Sequence, residues 1–314
     1  MKAYVLHEAG GVENLVLSDI EKPEINANEV LVETKAISIN PVDVKVRPHE
    51  EVLNMIMQTE ERPVIIGWDI AGVVAETGTD VTGFKVGDKV FGMVNFPGHG
   101  KAYAEYVASP ADHLAHMPEN CSFEDAAATT LAALTALQVL QSRVKKDDRV
   151  LIHAGSGGVG HFAIQIAKNL GAQVITTSSA KNKDFCMAMG ADEHIDYREV
   201  QFEEVLNNID FVLDGMGGET LSKSIKVLKD GGGAVSLPVP DFPEDVIKEA
   251  EARHLNVEFI LVTSNGTDMN TLKEMLEAGT LKPHVSKTFP FDQLQDAHRQ
   301  LESGRTVGKA VVTV

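Results

Sequence analysis

The stretch Val150–Leu170, VLIHAGSGGVGHFAIQIAKNL, constrains the fold of this chain more than any other. An apolar run of β-branched character leads straight into Gly155, Gly157 and Gly160, spaced as G-x-G-x-x-G. Val159, Phe162, Ala163, Ile166, Ala167 and Leu170 then fall at the offsets that line one face of an α-helix. The pattern reads strand, tight turn, helix. Strands that alternate with helices predict a parallel sheet with helices on both faces. The chain supplies that alternation. From Arg149 onward strand and helix alternate, with strand candidates at 149–154, 173–177, 194–197, 210–214, 233–237 and 257–262. Six such strands match two mononucleotide-binding halves, so we expect an α/β fold with a doubly wound parallel sheet.

The glycines carry a functional expectation as well. Glycine lets backbone N–H groups approach a pyrophosphate, and the helix that follows directs its positive end at the phosphates. Gly155, Gly157, Gly158, Val159 and Gly160 are therefore the candidate pyrophosphate cradle; the bland alternative is a structural turn. His153 and His161 flank it and read as a packed strand-end histidine and a solvated helix histidine. A site for NAD usually carries Asp or Glu about 20 residues after the first glycine. Here Val174 to Lys183 contains no acid, and offers Thr177, Ser178, Ser179, Lys181, Asn182 and Lys183 instead. Hydroxyls, an amide and lysines suit a 2′-phosphate, which points to NADPH; the alternative is an ordinary polar loop. Gly215 and Met216 after the fourth strand, and Leu237 and Pro238 after the fifth, occupy strand ends of the kind that face the ligand.

The remainder has a different texture. Glu29–Ile39, Asp69–Gly78 and Val86–Met93 are β-branched runs punctuated by turn residues, so the first 120 residues read as β-rich. Glu50–Pro63 between them reads as an inserted loop or short helix. Ser122 opens one helix, SFEDAAATTLAALTALQVLQ, with a capping hydroxyl and acids in its first turn. After Ser264, helices are expected around 269–278 and 291–303, then a closing strand KAVVTV. With a net charge of −18, a generic nucleic-acid or anionic-membrane surface is not expected. No apolar run is long enough to span a bilayer, and no N-terminal run combines a basic start with an apolar core. Two cysteines far apart in 314 residues fit a reducing, cytoplasmic setting.

These features, with AISINPVDVKVR (36–47), VIIGWDIAGVVAETG (64–78), FKVGDKVFGM (84–93), AYAEYVAS (102–109), AAATTLAALTALQVL (126–140), HAGSGGVG (153–160), GADEHIDY (190–197) and GKAVVTV (308–314), run nearly end to end. Together they resemble the medium-chain dehydrogenase/reductase superfamily, in its zinc-free branch of NADPH:quinone oxidoreductases, zeta-crystallin-like proteins and enone reductases. The resemblance implies a GroES-like β-barrel catalytic domain over 1–121 and 264–314, and a Rossmann cofactor domain over 122–263. Zinc enzymes of the superfamily carry a cysteine ligand where Asn40 stands here, and a His-Glu pair where this chain has Trp68-Asp69. A four-cysteine lobe is impossible with two cysteines, and none of the eleven histidines form a helical i, i+4 pair. No metal site is therefore expected. Without a Lewis acid to hold an alkoxide, hydride addition to a quinone or to the C=C bond of an enone is the easier chemistry, since its developing charge needs only hydrogen-bond donors.

By resemblance Asn40 orients nicotinamide ring or substrate and Lys45 binds the substrate carbonyl; an Asn-Pro turn and a solvated lysine are the plain alternatives. Thr135 and Tyr197 are implied as further cofactor contacts; Val262–Gly266 at the return crossover and Lys309 at the start of the last strand are candidates as well. Met55 and Met57 make the Pro48–Pro63 loop a candidate cover for the substrate. A homodimer is implied too. A reading from another class, a non-catalytic NADPH-binding protein of the crystallin or scaffold kind, would keep the same glycine turn.

Overall fold

The computed structural model describes residues 1–238 and 240–314, and the chain divides into two compact units: Met1–Leu134 with Val262–Val314, and Thr135–Leu261. In the first unit β1 (Lys2–Leu6) and β2 (Leu15–Asp19) form an antiparallel pair. The long β3 (Glu29–Ile39) is followed by the short helices α1 (Pro41–Val46) and α2 (Glu50–Met57), then β4 (Asp69–Thr77), β5 (Lys89–Met93), β6 (Tyr106–Pro110) and β7 (Leu114–His116). Register breaks at Leu31/Val32 and Thr34/Ala36 bend β3, whose first half pairs with β4 and β6. Val30, Val32, Ile70, Val74, Val90 and Val107 fill the core this creates.

The segment read as one helix after Ser122 is two, α3 (Phe123–Ala128) and α4 (Leu131–Leu140). Ser122 caps the first as expected, accepting from the Asp125 N–H. The break has a local and a distant cause. Thr129 and Thr130 turn their hydroxyls back onto the carbonyls of Asp125 and Ala127. Asp69, far back in the chain, then accepts the N–H of Leu131 at 3.0 Å and so starts the second helix.

The second unit is the doubly wound sheet. Its strands β8 (Arg149–Ile152), β9 (Gln173–Ser178), β10 (Glu193–Asp196), β11 (Ile209–Asp214), β12 (Leu228–Ser236) and β13 (Asn256–Phe259) are all parallel, in the order β10-β9-β8-β11-β12-β13. All six expected strands are present. Helices α5 (Gly158–Asn169), α6 (Lys183–Ala188), α7 (Phe202–Val205), α8 (Gly218–Val227) and α9 (Glu244–Arg253) connect them. The chain then returns to the first unit through α10 (Gly266–Glu277), β14 (Val285–Pro290), α11 (Leu294–Glu302) and β15 (Lys309–Thr313). There β15 pairs antiparallel with β3, so the first unit's main sheet runs β14-β15-β3-β4-β5-β7. Among the described residues no helix is long and apolar enough to cross a membrane.

Candidate functional site

In the second unit the central strand β8 ends in a turn that only small residues permit. Ala154 takes a left-handed conformation (φ 53°), and the Gly155 N–H bonds the Thr177 carbonyl at 3.0 Å, which ties the turn to the end of β9. A Cβ on Gly155 would lie 1.8 Å from Thr176 Oγ1. One on Gly160 would lie 2.2 Å from the Ala154 carbonyl oxygen and 2.7 Å from Gly155 Cα. These two glycines let α5 pack directly on the strand end. Gly157, the residue before the helix, is different: an added Cβ would meet only the Ala154 carbonyl, at 3.2 Å. Its face is open; its own N–H bonds the Ala154 carbonyl at 2.8 Å, and Gly158 and Val159 beside it present the N–H groups of a helix start.

The end of β9 separates into a buried and an exposed half. Thr177 bonds His153 Nδ1 at 2.9 Å, and His153 Nε2 bonds Ser224 at 2.8 Å. Ser224 spends its own proton on the Thr220 carbonyl, so His153 donates to Ser224 and accepts from Thr177. Burial pushes His153 down to about 4, which keeps the ring neutral. Ser178 is likewise buried and pairs with His194 at 2.7 Å. Beyond them Ser179 is buried, Lys181 and Lys183 are exposed, and Asn182 bonds Ser156 in the glycine turn at 2.8 Å. Tyr197 is exposed beside Arg198, and its N–H reaches the Ser178 carbonyl. Arg198 adds a cation next to the set read from the sequence.

Gly215 and Met216 form the turn after β11. The buried Asp214 shapes it by accepting from the N–H groups of Met216 and Gly217 and from the Ser236 hydroxyl. The Asp214 carbonyl also takes the Leu237 N–H, and Pro238 sits against Gly217, so the ends of β11 and β12 are locked together. Thr135 is buried on α4. His161, read as solvated, is buried instead: its ring stacks on Phe162 and its Nδ1 lies 2.9 Å from the Gly157 carbonyl.

The first unit gathers its polar residues at the aligned ends of three adjacent strands. Asn40 directly follows β3, Asp69 begins β4 and Lys309 begins β15, and strand pairing makes them neighbours. Asn40 Nδ2 donates to Asp69 at 2.7 Å. Lys309 donates to Asn40 Oδ1 and to the Ile39 carbonyl, and stands 4.0 Å from Asp69. Asp43 accepts the Asn40 backbone N–H at 2.6 Å. All four are buried. Burial raises the Asp69 carboxyl and lowers the Lys309 ammonium, each opposed by the other's charge, and pushes Asp43 up to about 8. The Asn40 amide and the Lys309 ammonium are thus engaged within the protein, while Lys45 on α1 is exposed with no hydrogen-bond partner among the described residues. Met55 is exposed on α2 and Met57 is core. Trp68 is buried and donates to the Gly98 carbonyl. Among the described residues, no group of three or more His, Cys, Asp and Glu side chains is arranged to hold a metal ion. The sequence reading missed Asp43, Asp69 and Asp214 as organising residues; for Asp69 and Asp214 an acid at an otherwise apolar strand end was the available signal, and for Asp43 its place three residues after Asn40, as in a helix capping box.

Comparison with known proteins fits this geometry. Residues 26–119 match the alcohol dehydrogenase GroES-like domain, and residues 189–312 match the zinc-binding dehydrogenase family. The chain is 35% identical to a 2-methylene-furan-3-one reductase of Solanum lycopersicum over 325 residues, covering 99% of this chain and 79% of that protein. It is 34% identical to a chloroplastic NADPH-dependent alkenal/one oxidoreductase of Arabidopsis thaliana, with coverage of 99% and 79%. Among solved structures, the quinone oxidoreductase of Coxiella burnetii superimposes with a TM-score of 0.93 at 38% identity, covering 100% of this chain and 99% of that one. The Escherichia coli quinone oxidoreductase complexed with NADPH gives 0.88 at 28% identity, with full coverage of both chains.

Proposed function

This chain belongs to the medium-chain dehydrogenase/reductase superfamily, in its quinone oxidoreductase and alkenal/one oxidoreductase branch, and we propose that it draws on NADPH to reduce quinones or the C=C bond of α,β-unsaturated carbonyls. The observation that carries this reading is the joined glycine turn and β9 end. The residues present fit a dinucleotide. The open face at Gly157 is a cradle that a Cβ would begin to fill, backed by the N–H groups that start α5. Ser179, Lys181 and Asn182 stand next to it with no acid among them, and suit a 2′-phosphate. Thr177 and Ser178 brace that segment from beneath through His153 and His194. Tyr197, Gly215, Met216, Leu237, Pro238 and Thr135 complete the proposed cofactor set.

When bound, NADPH supplies the hydride. The chain's own contribution is to stabilise charge. Reduction at the β-carbon of an enone leaves negative charge on the carbonyl oxygen, and a preorganised cation is most effective there. Lys45 is the donor we assign to that oxygen, because it is the exposed cation on the helix that Asn40 begins. We assign Asn40 the task of orienting ring or substrate, with Asp69 and Lys309 holding its amide in one rotamer.

The test is NADPH oxidation against a panel of quinones and enones, with 4-deuterated NADPH. Deuterium at the product's β-carbon supports the proposal, and deuterium at the carbinol carbon refutes the reaction class. Lys45→Ala should lower kcat by about 10²–10³ with NADPH affinity nearly intact; an unchanged kcat removes Lys45 from the mechanism. NADPH binding without turnover on any acceptor would favour a non-catalytic role.

A further inference from the structure

Lys45, the donor proposed for the substrate oxygen, sits on a helix too short to hold itself. Helix α1 is six residues long, well under the length at which an isolated helix is stable in water. Pro48 lies just beyond it and bars a further turn. Its order must come from its ends. The first end is secured at Asn40, whose backbone N–H goes to Asp43 and whose amide lies between Asp69 and Lys309. The last end is secured by Arg47, which closes the helix with its N–H on the Asp43 carbonyl and is buried. The Arg47 guanidinium reaches three acceptors. Nε donates to the Gly10 carbonyl, between β1 and β2, at 3.1 Å. The Arg47 carbonyl accepts the Gly10 N–H at 3.0 Å, so these two residues are joined through main chain and side chain alike. Nη1 lies 2.9 Å from His298 Nδ1, and Nη2 lies 2.5 Å from the Glu302 carboxylate. His298 and Glu302 stand one turn apart on α11 and meet Arg47 together. A guanidinium only donates, so His298 Nδ1 accepts; the neutral ring then carries its proton on Nε2 and donates it to the Tyr103 hydroxyl at 2.9 Å. Tyr103 is held in turn by packing, since a Cβ on Gly67 would lie 2.3 Å from its ring.

We infer that Arg47 is a positioning residue for Lys45: its guanidinium clamps the last turn of α1 to α11 and to Gly10, and so fixes where the Lys45 stem leaves the helix. The inference rests on the reading of Lys45 as the donor to the substrate oxygen. Lys45 lies two residues before Arg47, in the turn that the clamp holds. Three acceptors around one planar fork fix the rotation of that turn as well as its distance from α11. A lysine at position 47 would bring a point charge on a flexible stem, which satisfies one side of the clamp and leaves the rest unmade. A plain fold-holding role for the buried cation differs in one respect: its loss would lower activity equally with or without Lys45.

Arg47→Lys in the full-length protein tests this. Amide hydrogen exchange at Lys45 and Val46 should quicken by about tenfold, the effect of losing one or two hydrogen bonds, while exchange in β8 and β9 stays as in the wild type. With an enone as acceptor, kcat should fall by about 10–10²-fold, as for a donor misplaced by about 1 Å, at nearly unchanged KM for NADPH. In a Lys45→Ala background the same substitution should cost almost nothing further, because residues that act as one unit are not additive. An equal loss of kcat in both backgrounds overturns the positioning role, and so does exchange at α1 that Arg47→Lys leaves unmoved. Should Arg47→Lys fail to fold, Glu302→Ala decides. It removes one acceptor from the half-exposed side of the clamp and should move both exchange and kcat in the same direction by a smaller factor; no change in either overturns the inference. Lys45→Ala with unchanged kcat refutes the reading of Lys45, and the exchange then still decides whether Arg47 fastens α1.

Discussion

Replacing Lys309 with Met tests whether the cluster at the ends of β3, β4 and β15 is a balanced charge system. Methionine keeps an unbranched stem and removes the ammonium. In the wild type Lys309 is 2% exposed and Asp69 0%, with 4.0 Å between the charged atoms. At that distance, and the effective dielectric suited to such sites, the attraction is about 4 kcal/mol. Removing one member of a buried pair typically costs about 3–5 kcal/mol, because the other is left buried and uncompensated. Asp69 keeps two donors, Asn40 Nδ2 and the Leu131 N–H, so we expect the lower end, about 3 kcal/mol at pH 8. The pH dependence has a definite sign. Asp69 already lies above the usual carboxylate value in the folded state, and losing Lys309 raises it further. A carboxyl with a raised folded pKa binds more protons folded than unfolded, so stability falls as pH rises above the unfolded value of about 3.9. The cost of Lys309→Met should therefore shrink between pH 8 and pH 5. Adding Asp69→Asn should recover most of it, with a coupling energy of about 1–3 kcal/mol. Urea unfolding followed by the fluorescence of Trp68, the single tryptophan and a core residue of the same unit, measures this directly. A cost below about 1 kcal/mol at pH 8, a cost that grows toward acid, or strict additivity of the two substitutions would refute the reasoning.

The glycine turn predicts two different losses. Gly160→Ala drives a methyl into backbone atoms, so overpacking of about 1–3 kcal/mol is offset only in part by a helix-propensity gain of about 1 kcal/mol. Its melting temperature should fall, and NADPH binding by titration calorimetry should weaken with it. Gly157→Ala should leave the melting temperature nearly unchanged while weakening NADPH binding, and an equal loss of stability in both variants contradicts the assignment of the open face. NADPH should be preferred over NADH by very roughly 10²–10⁴ in kcat/KM, from two charge-assisted contacts of about 1.5–3 kcal/mol each. Lys181→Ala should narrow that ratio at nearly constant NADH activity; equal kcat/KM for the two cofactors in the wild type would remove the 2′-phosphate reading.

Much of this protein is written in local patterns. The glycine spacing, the apolar face from Val159 to Leu170 and the alternation from Arg149 onward yielded all six strands of the second unit, since the period of side chains along a short segment decides whether it is strand or helix. The pattern failed where a segment's state depends on distant partners. Strands β1, β2, β6, β7 and β14 went unread, and β2 and β14 carry mostly exposed or half-exposed side chains. The break between α3 and α4 is completed by Asp69, more than sixty residues away in the chain. The candidate site divides in the same way. The pyrophosphate turn is contiguous and was legible. Asn40 and Lys309 lie 269 residues apart, Tyr103 and His298 195, and Arg47 and His298 251. Their chemistry arises from strand order, which sets β15 beside β3 and β3 beside β4 and brings α11 over the same end. Pairing of that kind is decided by burial across the whole unit, so a buried carboxylate, a neutral histidine and a committed lysine became visible only once the sheet had closed around them.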